Sequence, residues 1–391
     1  MNSSQKYFLQ LLSSAINDNE ITPPSESVNL KAVFAFAYKH KMLGAIYEKA
    51  LGARLIDEND AGFSAYKNDY VLSKTRDVRQ LIAKDEIANI LTENGIRVML
   101  LKGLVIKDLY PQTYYRQMTD LDILIDNENR EKTRLLLKGI GYEDLEITEG
   151  EKRHFSMIKK PAVNIEIHLS LFENEWNTAF ADVWENAKQI DKNLYVMSNE
   201  DLILHNIMHS AEHFLSGGIG VRAVADFYLL KKAYPDVISG ESFISRLKEY
   251  GLFVFYNVIN NISDVWFGGL SDKPHSATAE KFLLSSNTFG TDKDAASQYA
   301  ANLVGEHNNR FIIILKLLFP SYKDMCRRFK ILKRVKILLP VCWLIRIVRM
   351  PYYASDSMGV VKELAKIDSE KIKERNEIVK LFGLSETTNN S

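Results

Sequence analysis

Two aspartates separated by one apolar residue are the side chains of this sequence best suited to chemistry. Asp120 and Asp122 flank Leu121 at the start of a short apolar, partly β-branched run that ends at Ile125. Because side chains of a strand alternate with period two, both carboxylates should emerge on one face, where they can hold a divalent metal ion. A second alternating run contains Glu166, which could bring a third carboxylate onto a neighbouring strand.

A strand-to-helix turn precedes the aspartates. Lys102 and Gly103 follow an apolar run, and Arg116 lies in a loop four residues before Asp120. Glycine permits close approach to the backbone, the first amides of a helix face anionic oxygens, and arginine can clamp phosphate with two hydrogen bonds. Together with three carboxylates, these groups favour metal-assisted attack on a nucleotide phosphate. Alternatively, Lys102 is a structural surface lysine and Arg116 only pairs with the acidic cluster.

The residues around these groups predict a small α/β unit of roughly 75 residues. Its predicted strands are residues 96–101, 120–125, 142–147, 154–160 and 163–171, with helices at 104–109 and 128–140 and a tight turn at 161–162. Helical patterns precede it from about residue 5 to 94 and return after residue 176, with predicted helices at 202–215, 221–233 and 243–267. The predicted regions are residues 1–95, helical; 96–175, the α/β core; 176–320, helical; and 321–391, a basic helical segment with a polar tail.

The order of these motifs resembles the nucleotidyltransferase superfamily built on the polymerase-β-like core. Within it, the sequence is similar to the bacterial group described only as uncharacterised nucleotidyltransferases. The similar motifs are Leu101-Lys102-Gly103, Leu109-Tyr110-Pro111, Arg116-x-Met118-x-Asp120-x-Asp122, Gly141-Tyr142, Glu166-x-His168-x-x-Leu171, residues 204–209 and Asp226 with its neighbours. The sequence departs from the superfamily in carrying Lys-Gly where a Gly-Ser pair is usual.

The resemblance implies a fold and an activity: a small polymerase-β-like sheet core between helical regions, which transfers a nucleoside monophosphate from an NTP and releases pyrophosphate. Asp120, Asp122 and Glu166 would hold two Mg²⁺ ions. Lys102, Gly103 and Arg116 would position the triphosphate. The acceptor is an unknown hydroxyl or phosphate group of a small molecule, sugar or protein, and His168, His209 and Asp226 would line its side of the cleft.

Each of these assignments has a structural alternative. The two aspartates could only solvate a strand edge, His168 could orient Glu166 or be a satisfied half-buried histidine, and a helix–helix hydrogen bond would explain His209 and Asp226. Residues 209–213 match the pattern His-x-x-Glu-His of some zinc proteases, but no further zinc ligand is identifiable in the sequence.

Composition limits the class of protein. The chain has 391 residues, 46% of them hydrophobic, with 50 basic and 50 acidic side chains, so neither sequence-specific nucleic-acid binding nor bulk attraction to polyanions is indicated. Two cysteines and no apparent signal peptide favour the cytoplasm, and the apolar window 311–319 is too short to span a bilayer. The basic residues between 323 and 349 could contact anionic lipid, bind a phosphate-bearing acceptor or form a solvated helix face.

Two other functions are compatible with the sequence. A catalytically degenerate nucleotidyltransferase fold could serve as a binding or scaffold protein, for example in surface-polysaccharide assembly, and the unusual Lys-Gly turn favours this alternative. Phosphotransfer of the kinase type could use the same metal ions and would release ADP instead of pyrophosphate.

Overall fold

The computed structural model describes residues 1–145, 153–161, 163–270, 273–288, 319–322, 325–326, 329–349 and 369–384. Several features predicted from the sequence lie outside these residues. They are the end of the strand predicted at 142–147, Ala162 of the tight turn, most of the apolar window 311–319, the charged residues 323, 324, 327 and 328 of the basic stretch, and the tail 385–391.

A mixed seven-stranded sheet forms the centre of the fold. Its strands are β1 (Val98–Leu100), β2 (Asp120–Leu124), β3 (Glu143–Asp144), β4 (His154–Lys159), β5 (Val163–His168), β6 (Lys188–Asp191) and β7 (Leu194–Val196). They lie in the order β3-β4-β5-β2-β1-β7-β6. The pairs β2–β5 and β1–β7 are parallel, and the other neighbours are antiparallel. The predicted fold class, an α/β sheet core with helical flanks, is confirmed.

Helices precede and follow the sheet in the chain. Before and within it are α1 (Ser3–Asn17), α2 (Leu30–Lys39), α3 (Leu43–Gly52), α4 (Ser64–Glu93), α5 (Gly103–Ile106) and α6 (Arg130–Gly139). After it are α7 (Asn199–Ser216), α8 (Val221–Ala233), α9 (Pro235–Ser239), α10 (Glu241–Glu249), α11 (Phe253–Phe267), α12 (Ala277–Ser285), α13 (Leu339–Arg349) and α14 (Ser369–Leu381).

Two predictions for the residues after 176 were wrong, the immediate return to helices and the single helix at 243–267. Strands β6 and β7 lie there, and β7 extends the sheet beyond β1 by pairing Val98 with Leu194. The single helix predicted at 243–267 is two helices, α10 and α11, because the chain turns at Gly251, whose φ is +70°. A positive φ is incompatible with a right-handed helix, and glycine adopts it without steric cost.

Alternation along the central strands separates two apolar cores. On one face, Leu121, Ile123, Ile165 and Ile167 are buried in a cluster that includes residues of α4 and α6. On the other face, Leu124 joins the larger cluster that contains α1 to α3, α7 and α8. The polar positions of β2 and β5 lie on this second face, so the helical layer and the sheet enclose them from opposite sides.

The described part of the C-terminal segment has an apolar cluster of its own. Met325, Cys326, Leu332 and Cys342 are its buried members, and both cysteines are free thiols. Arg334 and Lys336 of the basic stretch are exposed. Among the described residues, no helix combines the length and the apolar character needed to cross a bilayer.

Candidate active site

The register of two parallel strands brings the predicted site residues together. Asp122 of β2 lies beside Glu166 of β5, and the flanking pairs are Asp120 with Asn164 and Leu124 with His168. Paired residues of neighbouring strands face the same side of a sheet, and residues two apart share a face. Asp120, Asp122, Glu166 and His168 therefore lie on one face, which is the arrangement expected from the sequence.

The side chains of this face converge around Asp122. Its Oδ1 lies 2.9 Å from His168 Nε2 and 3.2 Å from Lys102 Nζ. The same His168 nitrogen lies 3.6 Å from Glu166 Oε2. One ligand atom from each of Asp122, Glu166 and His168 can be chosen so that all lie within 4.8 Å of one another, a spacing that fits a single cation.

Opposite electrostatic effects act on the two aspartates. Burial and the neighbouring charges of Asp122 and Glu166 raise the pKa of Asp120 to about 7. Burial also opposes ionisation of Asp122, but the Lys102 ammonium and the His168 hydrogen bond outweigh it and hold the pKa of Asp122 well below its usual range. Burial and the charge of Lys102 lower the pKa of His168 to about 4, so its imidazole is neutral at pH 7.

The turn before α5 is packed by neighbouring side chains. Lys102 has a φ of +41°, and its ammonium group points to Asp122. A Cβ atom added to Gly103 would lie 2.3 Å from Met118 Sδ and 2.6 Å from Arg116 Nη1. A larger residue at this position would have to displace the ends of these two side chains, a contact that the sequence does not reveal.

Arg116 makes a buried ion pair with Asp226 of α8. Its Nε and Nη2 donate to the two oxygens of Asp226 over 2.7 and 2.8 Å, and Tyr110 Oη donates to Asp226 Oδ1 over 2.8 Å. Burial and the charge of Asp226 raise the pKa of Tyr110 well above its ordinary value. Arg116 thus pairs with a carboxylate, as the structural alternative expected, but with one outside the Asp120, Asp122 and Glu166 group.

A cleft of about 370 Å³ opens between this face of the sheet and helices α7 and α8. All nine residues singled out from the sequence line it: Lys102, Gly103, Arg116, Asp120, Asp122, Glu166, His168, His209 and Asp226. The main lining residues that the sequence did not single out are Arg153, His154, Asn206, Ser210, Ile219 and Arg222. Polar cleft residues on a helix are hard to recognise from sequence, because which face of the helix lines the cleft depends on tertiary packing.

Comparison with known protein families agrees with this geometry. A family profile described as uncharacterised nucleotidyltransferase matches residues 26–268, more than half of the chain. The chain belongs to this nucleotidyltransferase family. The matched range contains the whole sheet and every residue named above as lining the cleft.

One solved structure is similar to part of this chain. It is the solution structure of the antibiotic-resistance factor ANT(2'')-Ia, and the similarity covers 44% of this chain and 93% of that chain. The sequence identity is 10% and the TM-score 0.34, values too low to support any conclusion about the site. A comparison with curated proteins gave no match.

The histidines of α7 form a row along the cleft. His209 Nε2 lies 2.9 Å from His213 Nε2, and Glu212 accepts hydrogen bonds of 2.9 and 3.1 Å from Arg153 Nη1. His205 is buried with its ring edge-on to Phe172. Within the described residues, Asp122, Glu166 and His168 are the only group of three side chains with metal-ligand spacing, so the His-x-x-Glu-His pattern gains no support as a zinc site.

The raised pKa of Asp120 predicts how an Asp120→Asn variant behaves without metal. Between about pH 4 and 7 the folded state keeps a proton that the unfolded state has lost, so this group lowers the free energy of unfolding as the pH rises. In EDTA at pH 8, we expect Asp120→Asn to raise the free energy of unfolding by about 2 kcal/mol, with the difference vanishing near pH 4. Urea unfolding at both pH values measures it.

Asp144, at the edge of the sheet, provides a control for which the expected change in the free energy of unfolding has the opposite sign. Hydrogen bonds from Arg134 lower the pKa of Asp144 to about 2, so this carboxylate stabilises the protein above pH 4 and loses its effect in acid. Asp144→Asn should therefore lower stability at pH 8. A stability difference for Asp120→Asn that has the same sign as that of Asp144→Asn would refute the electrostatic account.

Proposed function

We propose that this protein transfers a nucleoside monophosphate from an NTP to a hydroxyl or phosphate acceptor, with a divalent metal ion, and releases pyrophosphate. The observation that supports this best is the alignment of Asp120, Asp122 and Glu166 on one face of two adjacent parallel strands, open to the cleft. Lys102 compensates only part of this charge, because the charges of Asp122 and Glu166 still disfavour ionisation of Asp120, and a bound cation would relieve that repulsion. Membership of the nucleotidyltransferase family supports the same reaction class.

The ligand set fits a hard divalent cation. Carboxylate oxygens of Asp122 and Glu166, with Asp120 on the same face, are ligands that Mg²⁺ and Mn²⁺ accept. When bound, such ions neutralise the charge of the triphosphate and make an acceptor hydroxyl more acidic.

The protein side chains around the carboxylates would position the reacting groups. His168 is neutral and buried, and its hydrogen bond to Asp122 fixes one carboxylate oxygen. Lys102 lies beside the same oxygen and lines the cleft, where its ammonium group can also contact a phosphate. Arg116, held by two hydrogen bonds to Asp226, would act on the triphosphate by fixing the loop before β2 and packing against Gly103.

The decisive experiment follows label from the α-phosphate of an NTP. The purified protein, Mg²⁺ and α-labelled NTPs are incubated with a panel of hydroxyl-bearing and phosphorylated acceptors, and labelled products and pyrophosphate are measured. We expect Mg²⁺-dependent labelling of an acceptor with equimolar pyrophosphate, abolished in Asp120→Asn/Asp122→Asn. Equal activity of wild type and double variant would exclude these carboxylates from the mechanism, and acceptor-dependent release of labelled ADP without labelling of the acceptor would indicate a kinase.

A scaffold function has one observation in its favour. The Lys102 ammonium already lies against Asp122, and Met118 and Arg116 fill the space next to Gly103. A degenerate fold would retain such internal contacts and would have no need for metal. Calorimetry with Mg²⁺ and a non-hydrolysable NTP separates the alternatives, because a scaffold should show no nucleotide binding that depends on metal and on the two aspartates.

A further inference from the structure

Asn206 of α7 is a buried amide without a partner among the residues that the structure describes. Only 8% of the residue is exposed, and its side chain lines the cleft. It makes no side-chain hydrogen bond or other polar contact to any residue in the described part of the chain. The amide atoms of Asn206 are not among the fully buried side-chain atoms that lack a hydrogen-bond partner in the described residues, so solvent or a ligand can reach them. An amide at the wall of a cleft is therefore suited to a ligand.

Ser210 continues the same polar stripe. It lies one helical turn after Asn206, so both side chains share a face of α7, and both line the cleft. The Ser210 hydroxyl, too, has no hydrogen-bond partner among the described residues. The two side chains together offer donors and acceptors from a rigid helix of 18 residues.

Arg222 brings a positive charge to the same wall. It lies in the first turn of α8 and is 8% exposed, and its Nη1 donates to the Gln117 carbonyl over 2.7 Å, which fixes the guanidinium plane. The first amide of α8 is already occupied, because Val221 N–H donates to His40 Nδ1 over 3.3 Å. The positive charge at this wall therefore comes from the Arg222 side chain.

We infer that the α7–α8 wall, defined by Asn206, Ser210 and Arg222, binds an oxyanion of a substrate. A guanidinium group, an amide and a hydroxyl form the donor set that recognises phosphate or carboxylate oxygens. A cationic ligand would be repelled by the guanidinium group of Arg222. This inference rests on the proposed function, which places a substrate in the cleft. It adds that the part of the substrate bound by the α7–α8 wall is an oxyanion.

The oxyanion could belong to the triphosphate or to an anionic acceptor, and binding measurements distinguish the two. The probes are inorganic phosphate in EDTA and a non-hydrolysable NTP with Mg²⁺, titrated calorimetrically into wild type and Arg222→Gln. We expect the Kd for phosphate to rise at least about tenfold in the variant. A parallel rise in the Kd for Mg-NTP assigns the wall to the triphosphate, and an unchanged Kd for Mg-NTP assigns it to the acceptor.

A double variant keeps the inference testable if Arg222→Gln does not fold, and a third protein serves as the control. Asn206→Ala/Ser210→Ala removes both neutral partners without burying a charge, and we expect a rise in the Kd for phosphate of about threefold to tenfold. The matched control is Arg134→Gln, which removes a guanidinium group that pairs with Asp144 away from the cleft. Phosphate affinity that is undetectable in wild type, or equal in wild type and folded variants, would overturn the inference.

Failure of this inference and failure of the proposed function give different results. Phosphate binding in EDTA requires neither metal nor catalysis, so Asp120→Asn/Asp122→Asn should retain it. Phosphate binding without any nucleotidyl transfer would contradict the proposed function alone. Transfer activity without an effect of the wall variants on either titration would contradict the inference alone.

Discussion

Replacement of Asp122 by asparagine is expected to abolish metal binding and to lower nucleotidyl transfer by about a thousandfold, equivalent to about 4 kcal/mol of transition-state stabilisation. Asp122 lies at the centre of the site, within hydrogen-bonding distance of both His168 and Lys102 and beside Glu166 in the sheet. Asparagine preserves the shape but removes the charge that makes the oxygen a strong cation ligand. The measurements are Mn²⁺ titration by calorimetry and the α-label assay.

The control for this prediction lies on the same segment of chain. Asp126 follows β2 and accepts two hydrogen bonds from Arg97 without lining the cleft, so Asp126→Asn changes the same chemical group away from the site. Asp126→Asn should retain metal affinity and transfer within about threefold of wild type, since surface effects on binding are small. A folded Asp122→Asn protein that binds Mn²⁺ as tightly as wild type would remove Asp122 from the metal site.

Replacement of Asp226 by alanine is expected to lower the free energy of unfolding by about 3–5 kcal/mol. The carboxylate compensates a buried guanidinium group, and its loss leaves the charge of Arg116 without that partner. Tyr110, which donates to the same carboxylate, would lose its acceptor as well. Urea unfolding monitored by tryptophan fluorescence provides the measurement.

A double variant tests whether the loss comes from the uncompensated charge. Arg116→Met/Asp226→Leu removes both ions and fills a similar volume with apolar groups, a replacement that is often close to neutral for stability. We expect it to be more stable than Asp226→Ala by at least about 2 kcal/mol. If the double variant were as unstable as the single one, packing and not the ion pair would explain the effect.

The strands of the site could be predicted from the sequence because their signal is local. Alternation of acidic and apolar residues from Asp120 to Ile123, and again around Glu166, encodes both the strand and the face of each side chain. The order of the two strands in the sheet is not encoded locally. Their parallel pairing, which places Asp122 beside Glu166, becomes visible only in the structure.

The roles of Arg116 and Gly103 could not be predicted from the local sequence. Arg116 has the charge and position of a phosphate ligand, but its partner Asp226 lies 110 residues later in the chain. Gly103 has the sequence context of a phosphate-binding turn, yet the atoms closest to a Cβ there belong to Met118 and Arg116. Such contacts depend on tertiary packing, which overrides the meaning of a short motif.

The short strands β6 and β7 escaped prediction for a different reason. They are four and three residues long, and every residue of β6 is exposed, so neither shows the burial pattern that identifies a strand. The roles of Asn206 and Ser210 on α7 were equally hidden, because their position at the cleft depends on how α7 packs against the sheet.

The alternation of β2 and β5 has a consequence for how this protein tolerates change. Leu121, Ile123, Ile165 and Ile167 anchor the opposite face in an apolar core, so a slip of either strand by one residue would expose that core and bury the carboxylates. A single inserted or deleted residue in either strand would therefore damage folding and chemistry together. Insertions and deletions in these two strands should therefore be eliminated because the protein no longer folds, whatever their effect on catalytic activity.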